Sequence, residues 1–96
     1  MEYLVTYDVA TDSTEGRRRL RQVAHICEGY GQRVQKSVFE CSVSPAQWEK
    51  LRRRLERTIK PSEDSLRFYR LREPLEEHRE VIGRRPAFDL GQPLVV

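Results

Sequence analysis

Gln32-Arg33-Val34-Gln35-Lys36-Ser37-Val38-Phe39-Glu40-Cys41-Ser42-Val43 is the stretch on which the fold turns. It carries β-branched and aromatic residues throughout, yet it is too long for one ordinary strand. Two strands with a tight change of direction near Lys36 and Ser37 satisfy it, although no Asn-Gly pair marks the turn. Upstream, residues 2–8 read as a first strand that closes on an acid, Tyr3-Leu4-Val5-Thr6-Tyr7-Asp8. The polar turn Thr11-Asp12-Ser13-Thr14 bounds it, and a helix starts near Glu15 or Gly16 and stops at Gly29-Tyr30-Gly31. Leu20, Val23, Ala24, Cys27 and Tyr30 recur on that helix at helical spacing, with Arg17 on the same stripe one turn earlier. Downstream, Ser44 is an N-cap, Pro45 takes the first helical position and Gln47 completes a capping box. Trp48, Leu51, Leu55 and Ile59 form the stripe of this second helix, Lys50, Arg53, Arg54 and Arg57 its opposite side, and Pro61 and Ser62 end it. Ser65-Leu66-Arg67-Phe68-Tyr69-Arg70-Leu71 is the last strand of the series.

The order is therefore β-α-β-β-α-β, an α+β chain of the ferredoxin-like, split βαβ kind. Such a sheet carries its helices on one face. The first strand places Tyr3, Val5 and Tyr7 on one side and Leu4 and Thr6 on the other, so neither side reads as solvated. A two-fold homodimer packed through the sheet faces is the economical way to cover the second side. Residues 1–73 form the expected core and residues 74–96 an extension. The apolar chain end Leu94-Val95-Val96 predicts an additional C-terminal strand, paired on the dimer partner or on another protein.

With 96 residues the chain is a single small domain. Its net charge is only +3, but fifteen of the eighteen basic residues are arginine, which forks onto phosphates bidentately. A genome-wide compositional bias would produce the same excess. Cys27 and Cys41 have no CxxC spacing and read as small core residues rather than zinc ligands. His25 and His78 have no acid, cysteine or serine partner at a spacing that suggests a general base. No leader and no apolar run of membrane-spanning length is present, which predicts a cytoplasmic protein with no membrane association. Asp8 is the only carboxylate near the end of the first strand, with Arg17, Arg18, Arg19 and Arg21 close behind it. An acid there, beside arginines, suggests a metal ion facing a phosphate backbone; the plainer alternative is an Asx-turn at a strand end.

Tyr7-Asp8-Val9 after an apolar strand, the helix end Cys27-Glu28-Gly29-Tyr30-Gly31 and the run Arg33-Val34-Gln35-Lys36-Ser37-Val38-Phe39-Glu40-Cys41 resemble one family. It is the small CRISPR-associated "Cas two" family of the adaptation step of prokaryotic antiviral immunity. Asp64-Ser65-Leu66-Arg67 and Ile82-Gly83 extend the resemblance, which covers the chain to about Gly83. It implies a ferredoxin-like homodimer in which the C-terminal strand of one subunit extends the sheet of the other. It also implies a magnesium-dependent endonuclease (Mg2+, with Mn2+ also serving) acting on single-stranded RNA or double-stranded DNA. The same dimer would bridge dimers of the "Cas one" integrase during spacer integration, where its own nuclease activity is dispensable.

Under that resemblance Asp8 is both the catalytic residue and the metal ligand, with a second Asp8 supplied across a two-fold axis. Arg17, Arg19 and Arg33 become the nucleic-acid-binding candidates, Arg17 better placed than Arg19, while Arg18 is a solvated surface residue. Tyr7, Ser37 and Phe39 are supporting residues; Tyr7 is expected in the dimer interface, and Phe39 either packs or stacks on a base. Two functional classes follow: a nuclease built on paired Asp8 residues, or a catalytically silent DNA-binding scaffold that bridges integrase dimers. An RNA interferase reading bases on exposed aromatics ranks third, because Tyr3, Tyr7, Phe39 and Phe68 are needed for burial.

Overall fold

A computed structural model of the chain describes residues 1–83. Strand β1 (Glu2–Asp8) leads into helix α1 (Thr14–Glu28), and strands β2 (Gly31–Gln35) and β3 (Val38–Ser42) follow. Helix α2 (Pro45–Thr58), strand β4 (Ser65–Leu71) and a single helical turn α3 (Leu75–His78) complete the series. The strands form one antiparallel sheet in the order β2-β3-β1-β4. The βαββαβ order matches the expected one, and the change of direction falls at Lys36 and Ser37. The short helix α3 was not anticipated, and the C-terminal strand expected from the apolar chain end lies outside the described residues.

The local signals that start the helices are realised atom by atom. Ser13 Oγ accepts the Gly16 N–H at 3.0 Å at the head of α1. Ser44 Oγ accepts the Gln47 N–H at 3.2 Å while Gln47 Oε1 accepts the Ser44 N–H at 2.8 Å, the reciprocal capping box. Gly16 is required for space: a Cβ there would lie 2.0 Å from the Ala10 carbonyl oxygen. The first turn of α1 is thereby pressed against the loop that leaves β1.

Both long helices contribute to a core on one face of the sheet. Val5, Val23, Cys27, Phe39, Leu51 and Leu55 are fully shielded, with Tyr7, Val9, Ile26, Cys41 and Val43 around them. Tyr3 stacks on Trp48 with ring centroids 3.6 Å apart, and Phe68 meets the indole edge-on at 4.9 Å. Burial of this kind removes about 2 kcal/mol worth of apolar surface from water for each large aliphatic side chain. Strand alternation puts Leu4, Thr6, Asp8, Val38, Arg67, Tyr69 and Leu71 on the other face, which α1 and α2 do not cover. Tyr69 is 45% exposed there. No helix of the described residues is long and apolar enough to cross a membrane.

Candidate functional site

Asp8 ends β1 on the open face, solvent-exposed, opposite Ser65 of β4. Three chain segments converge on this strand end. The β2–β3 turn arrives from one side: the Tyr7 N–H donates to the Ser37 carbonyl at 3.2 Å, and the Tyr7 hydroxyl reaches the Lys36 carbonyl at 3.4 Å. The start of β4 lies on the other, with Ser65 opposite Asp8, and the chain continues from Asp8 into the loop to α1. Arg67, on the same face and diagonal to Asp8 in the strand register, sits about 7 Å away along the sheet, within reach of a long side chain. Its guanidinium donates to the Tyr69 hydroxyl at 3.3 Å and forms no ion pair among the described residues. The sequence reading placed Arg67 in the last strand and in a matched run but not beside Asp8; strand alternation from Asp8 through Ser65 is the signal that brings them to one face.

The loop after Asp8 is fastened by a residue the sequence reading did not place in the site. Asp64 is the one buried charged residue among those described. Its Oδ1 accepts the Ala10 N–H at 3.1 Å and its Oδ2 the Lys60 N–H at 2.8 Å. Arg19 closes the arrangement with Nε 2.8 Å from Oδ2 and Nη2 3.3 Å from Oδ1, a two-pronged pair with the carboxylate side chain wholly shielded. The Arg19 guanidinium, joined by the two backbone N–H donors, holds the Asp64 carboxyl below its ordinary range against the opposing effect of burial. One carboxylate thus ties the β1–α1 loop, α1 and the α2–β4 loop together.

The residues expected to touch nucleic acid separate on inspection. Arg17 is exposed and lies beside the same loop, donating to the Thr11 carbonyl and to Thr14 Oγ1, each at 3.2 Å. It does not sit on the buried stripe; that arc runs through Gly16, Val23, Ile26 and Cys27, with Arg19 half-buried beside it. Arg19, expected to contact nucleic acid, presents its guanidinium to Asp64 instead. Arg33 projects on the helix-covered side, 5.1 Å over the Phe39 ring and 3.4 Å from Glu28, with Nε buried and without a hydrogen-bond partner among the described residues. Phe39 is fully buried, so it packs and does not stack on a base. Tyr7 is buried under the helices of its own chain, not on the open face where a sheet-packed partner would lie. Burial raises its hydroxyl pKa above the ordinary value. Burial pushes the Cys27 and Cys41 thiols up to about 12, so both stay protonated and unreactive at neutral pH.

Among the described residues no group of three or more His, Cys, Asp or Glu side chains could hold a metal ion. Asp8 therefore offers one hard oxygen ligand per chain. Magnesium commonly takes one or two carboxylates and fills its remaining positions with water and substrate phosphate, which an exposed strand-end acid permits.

The sequence profile described as CRISPR associated protein Cas2 matches residues 1–78. The chain belongs to the Cas2 family. A Cas2 protein from Moorella thermoacetica, named as a CRISPR-associated endoribonuclease, is 51% identical over 96 residues and is spanned from end to end, as is this chain. The crystal structure of Streptococcus pyogenes Cas2 superposes with a TM-score of 0.76 at 51% identity, covering 86% of this chain and all of that one. A chain in a structure described as a partial Cas6-RT-Cas1–Cas2 complex matches with a TM-score of 0.65 at 33% identity, over 84% of this chain and 89% of its own. The Cas2 fold is thus shared by chains solved alone and within a larger assembly.

Proposed function

We propose that this chain is a homodimeric, metal-dependent endonuclease of CRISPR adaptation, with Asp8 as its catalytic metal ligand. The observation that carries the reading is the exposed Asp8 carboxylate on the sheet face that α1 and α2 leave open. A second copy laid across that face would cover Leu4, Val38, Tyr69 and Leu71 and would bring a second Asp8 to the same region. The pair would supply the two carboxylates that one chain lacks. Bound there, Mg2+ or Mn2+ would polarise a phosphoryl oxygen and acidify a coordinated water.

The chain's own residues hold and orient the substrate. Arg67 and Arg17 stand at the strand end with side chains free of acidic partners among the described residues, and each can fork onto a phosphate oxygen pair. Arg33, with its Nε buried and its guanidinium beside Glu28, is the weakest of the three expected nucleic-acid contacts. Arg19 contributes through Asp64, by holding the loop against which Arg17 rests. Tyr7, Ser37 and Phe39 support the site through the β2–β3 turn and the core beneath it. Single-stranded RNA is the first substrate to expect, in line with the name of the Moorella relative, and double-stranded DNA the second. The match to a chain from a structure described as a Cas1–Cas2 complex supports Cas1 as a partner, and the reading takes that partnership to be with Cas1 dimers in spacer integration, in the cytoplasm.

The lone carboxylate per chain favours a second reading, a catalytically silent scaffold that binds DNA between Cas1 dimers. Cleavage of labelled single-stranded RNA and duplex DNA by wild type and Asp8→Asn, with magnesium and with EDTA, decides between them. Magnesium-dependent cutting by wild type alone supports the nuclease. Duplex binding without cutting by either protein supports the scaffold, and equal cutting by both removes Asp8 from the mechanism.

A further inference from the structure

Among the described residues, the contacts that place Asp8 belong to its backbone and its neighbours, not to its carboxylate. Asp8 is exposed, and its pairing with Ser65 is the last in the register of β1 with β4. The end of a strand ladder opens more readily than its middle, because the last pair is supported from one side only. On the other flank the tie is the Tyr7 N–H bond to the Ser37 carbonyl, one residue before Asp8. Immediately past this end the β1 and β4 segments are joined again, and the joint is Asp64. It directly precedes Ser65, and its Oδ1 accepts the N–H of Ala10, two residues after Asp8, at 3.1 Å. Asp8 and Ser65 therefore stand inside a closed ring of contacts rather than at a free edge.

Ala10 is fixed on both sides. Its N–H meets Asp64, whose Oδ2 accepts from Arg19 Nε on α1 and from the Lys60 N–H in the α2–β4 loop, each at 2.8 Å. Its carbonyl lies against Gly16 on the first turn of α1, where a Cβ would overlap the oxygen. A buried ion pair is a costly way to secure loops, since apolar side chains of similar volume often stabilise as well or better. What directional donors add is placement. A metal site with one carboxylate per chain depends on placement closely. Its second carboxylate comes from another copy, and among the described residues no cluster of acids surrounds Asp8 to absorb a shift.

We propose that Asp64 is a positioning residue for the metal site, with Arg19 orienting its carboxylate and Gly16 completing the hold on Ala10. Asp64 touches neither metal nor substrate; it sets the affinity for a divalent cation by fixing where Asp8 ends β1. This rests on the reading of Asp8 as a metal ligand and is independent of which nucleic acid is cut.

The test is Mn2+ binding to the full chain without nucleic acid, followed by loss of the free-ion electron paramagnetic resonance signal. It is run where circular dichroism shows every variant folded. Wild type is compared with Asp8→Asn, Asp64→Asn, Gly16→Ala and Leu51→Ala. Asp64→Asn keeps the size of the side chain but loses the charged fork to Arg19, and Gly16→Ala displaces Ala10 without changing any charge. Leu51→Ala weakens the core away from the strand end and controls for stability. Asp64→Asn and Gly16→Ala are each expected to weaken Mn2+ binding about tenfold, the scale on which residues supporting a metal ligand act, while Leu51→Ala stays within about twofold of wild type. Wild-type affinity in Asp64→Asn, or an equal loss in Leu51→Ala, would overturn the proposal. A loss in Asp64→Asn with none in Gly16→Ala would also overturn it, because charge and not placement would then be the cause. Binding by Asp8→Asn as tight as that of wild type, or no binding by wild type, would overturn the metal reading of Asp8 itself. Loss of binding in Asp8→Asn beside full affinity in Asp64→Asn would overturn the positioning role alone.

Discussion

The helix-covered face of the sheet and its open face are built from the same strands to different ends. On the covered face Val5, Phe39, Leu51 and Leu55 have no contact with solvent, and Tyr3 is held flat against Trp48. On the open face Leu4, Thr6 and Val38 are half-buried beside Glu2, Glu40 and Arg67, and Asp8 stands free. The first face is complete within one chain. The second mixes apolar side chains with charges, of which Arg67 bonds only the Tyr69 hydroxyl and Glu40 pairs with Arg79, the composition of a surface that meets something else. The proposed chemistry lies on the incomplete face, and the stability that lets it stay incomplete belongs to the other.

Breaking the covered face should have the largest effect. Leu51→Ala removes a fully buried side chain and is expected to cost about 3 kcal/mol in chemical denaturation, independent of protein concentration. A loss below about 1 kcal/mol would mean that the core is not closed within one chain. Next comes the tie between α1 and the two loops. Asp64→Ala leaves Arg19 and the Ala10 and Lys60 N–H groups without their acceptor, and should cost about 3 kcal/mol, as breaking buried pairs does. Because the Asp64 carboxyl is held below the ordinary value near ~3.9, its stabilising contribution is complete above that pH and fades as pH falls through the folded-state value. Melting temperatures of wild type and Asp64→Asn measured from pH 7 downward should therefore converge in acid; a constant difference would contradict this origin.

Altering the open face should leave the chain folded. Tyr69→Ser is expected to change melting of dilute protein by less than about 1 kcal/mol while shifting the monomer–dimer balance toward monomer, as sedimentation would show. An unshifted balance would place the partner elsewhere. The smallest effect expected is that of Arg17→Ala, a several-fold weakening of RNA or DNA binding at fixed salt with no change in stability, since the side chain touches only its own loop.

The covered face was legible in the sequence because its signals are local. Alternation in β1, the capping box at Ser44 and the stripe through Leu51 and Leu55 each lie within a few residues of one another. The phase of α1 was harder to read. Its inward arc begins at Gly16, a residue with no apolar side chain to mark it, so the stripe was extended to Arg17 when Arg19 is the half-buried arginine. Asp64 was illegible as a site residue for a different reason: its partners Ala10 and Arg19 lie 54 and 45 positions away in the chain. Asp8 was legible as an exposed strand-end acid because a lone carboxylate closing an apolar strand stands out against its neighbours. Arg67 escaped because its relation to Asp8 exists only once β1 and β4 are paired in register.

The central claim is that the open face becomes a functional site only when two copies present their Asp8 carboxylates together. Co-expression of two differently tagged copies, one carrying Asp8→Asn, yields a heterodimer with a single carboxylate. Measured beside the wild-type homodimer with saturating magnesium, it is predicted to retain less than about a tenth of the RNA-cleaving rate, a loss of more than ~1.4 kcal/mol of transition-state stabilisation. A heterodimer that cuts at half the wild-type rate would show that each Asp8 works alone and would contradict the shared site.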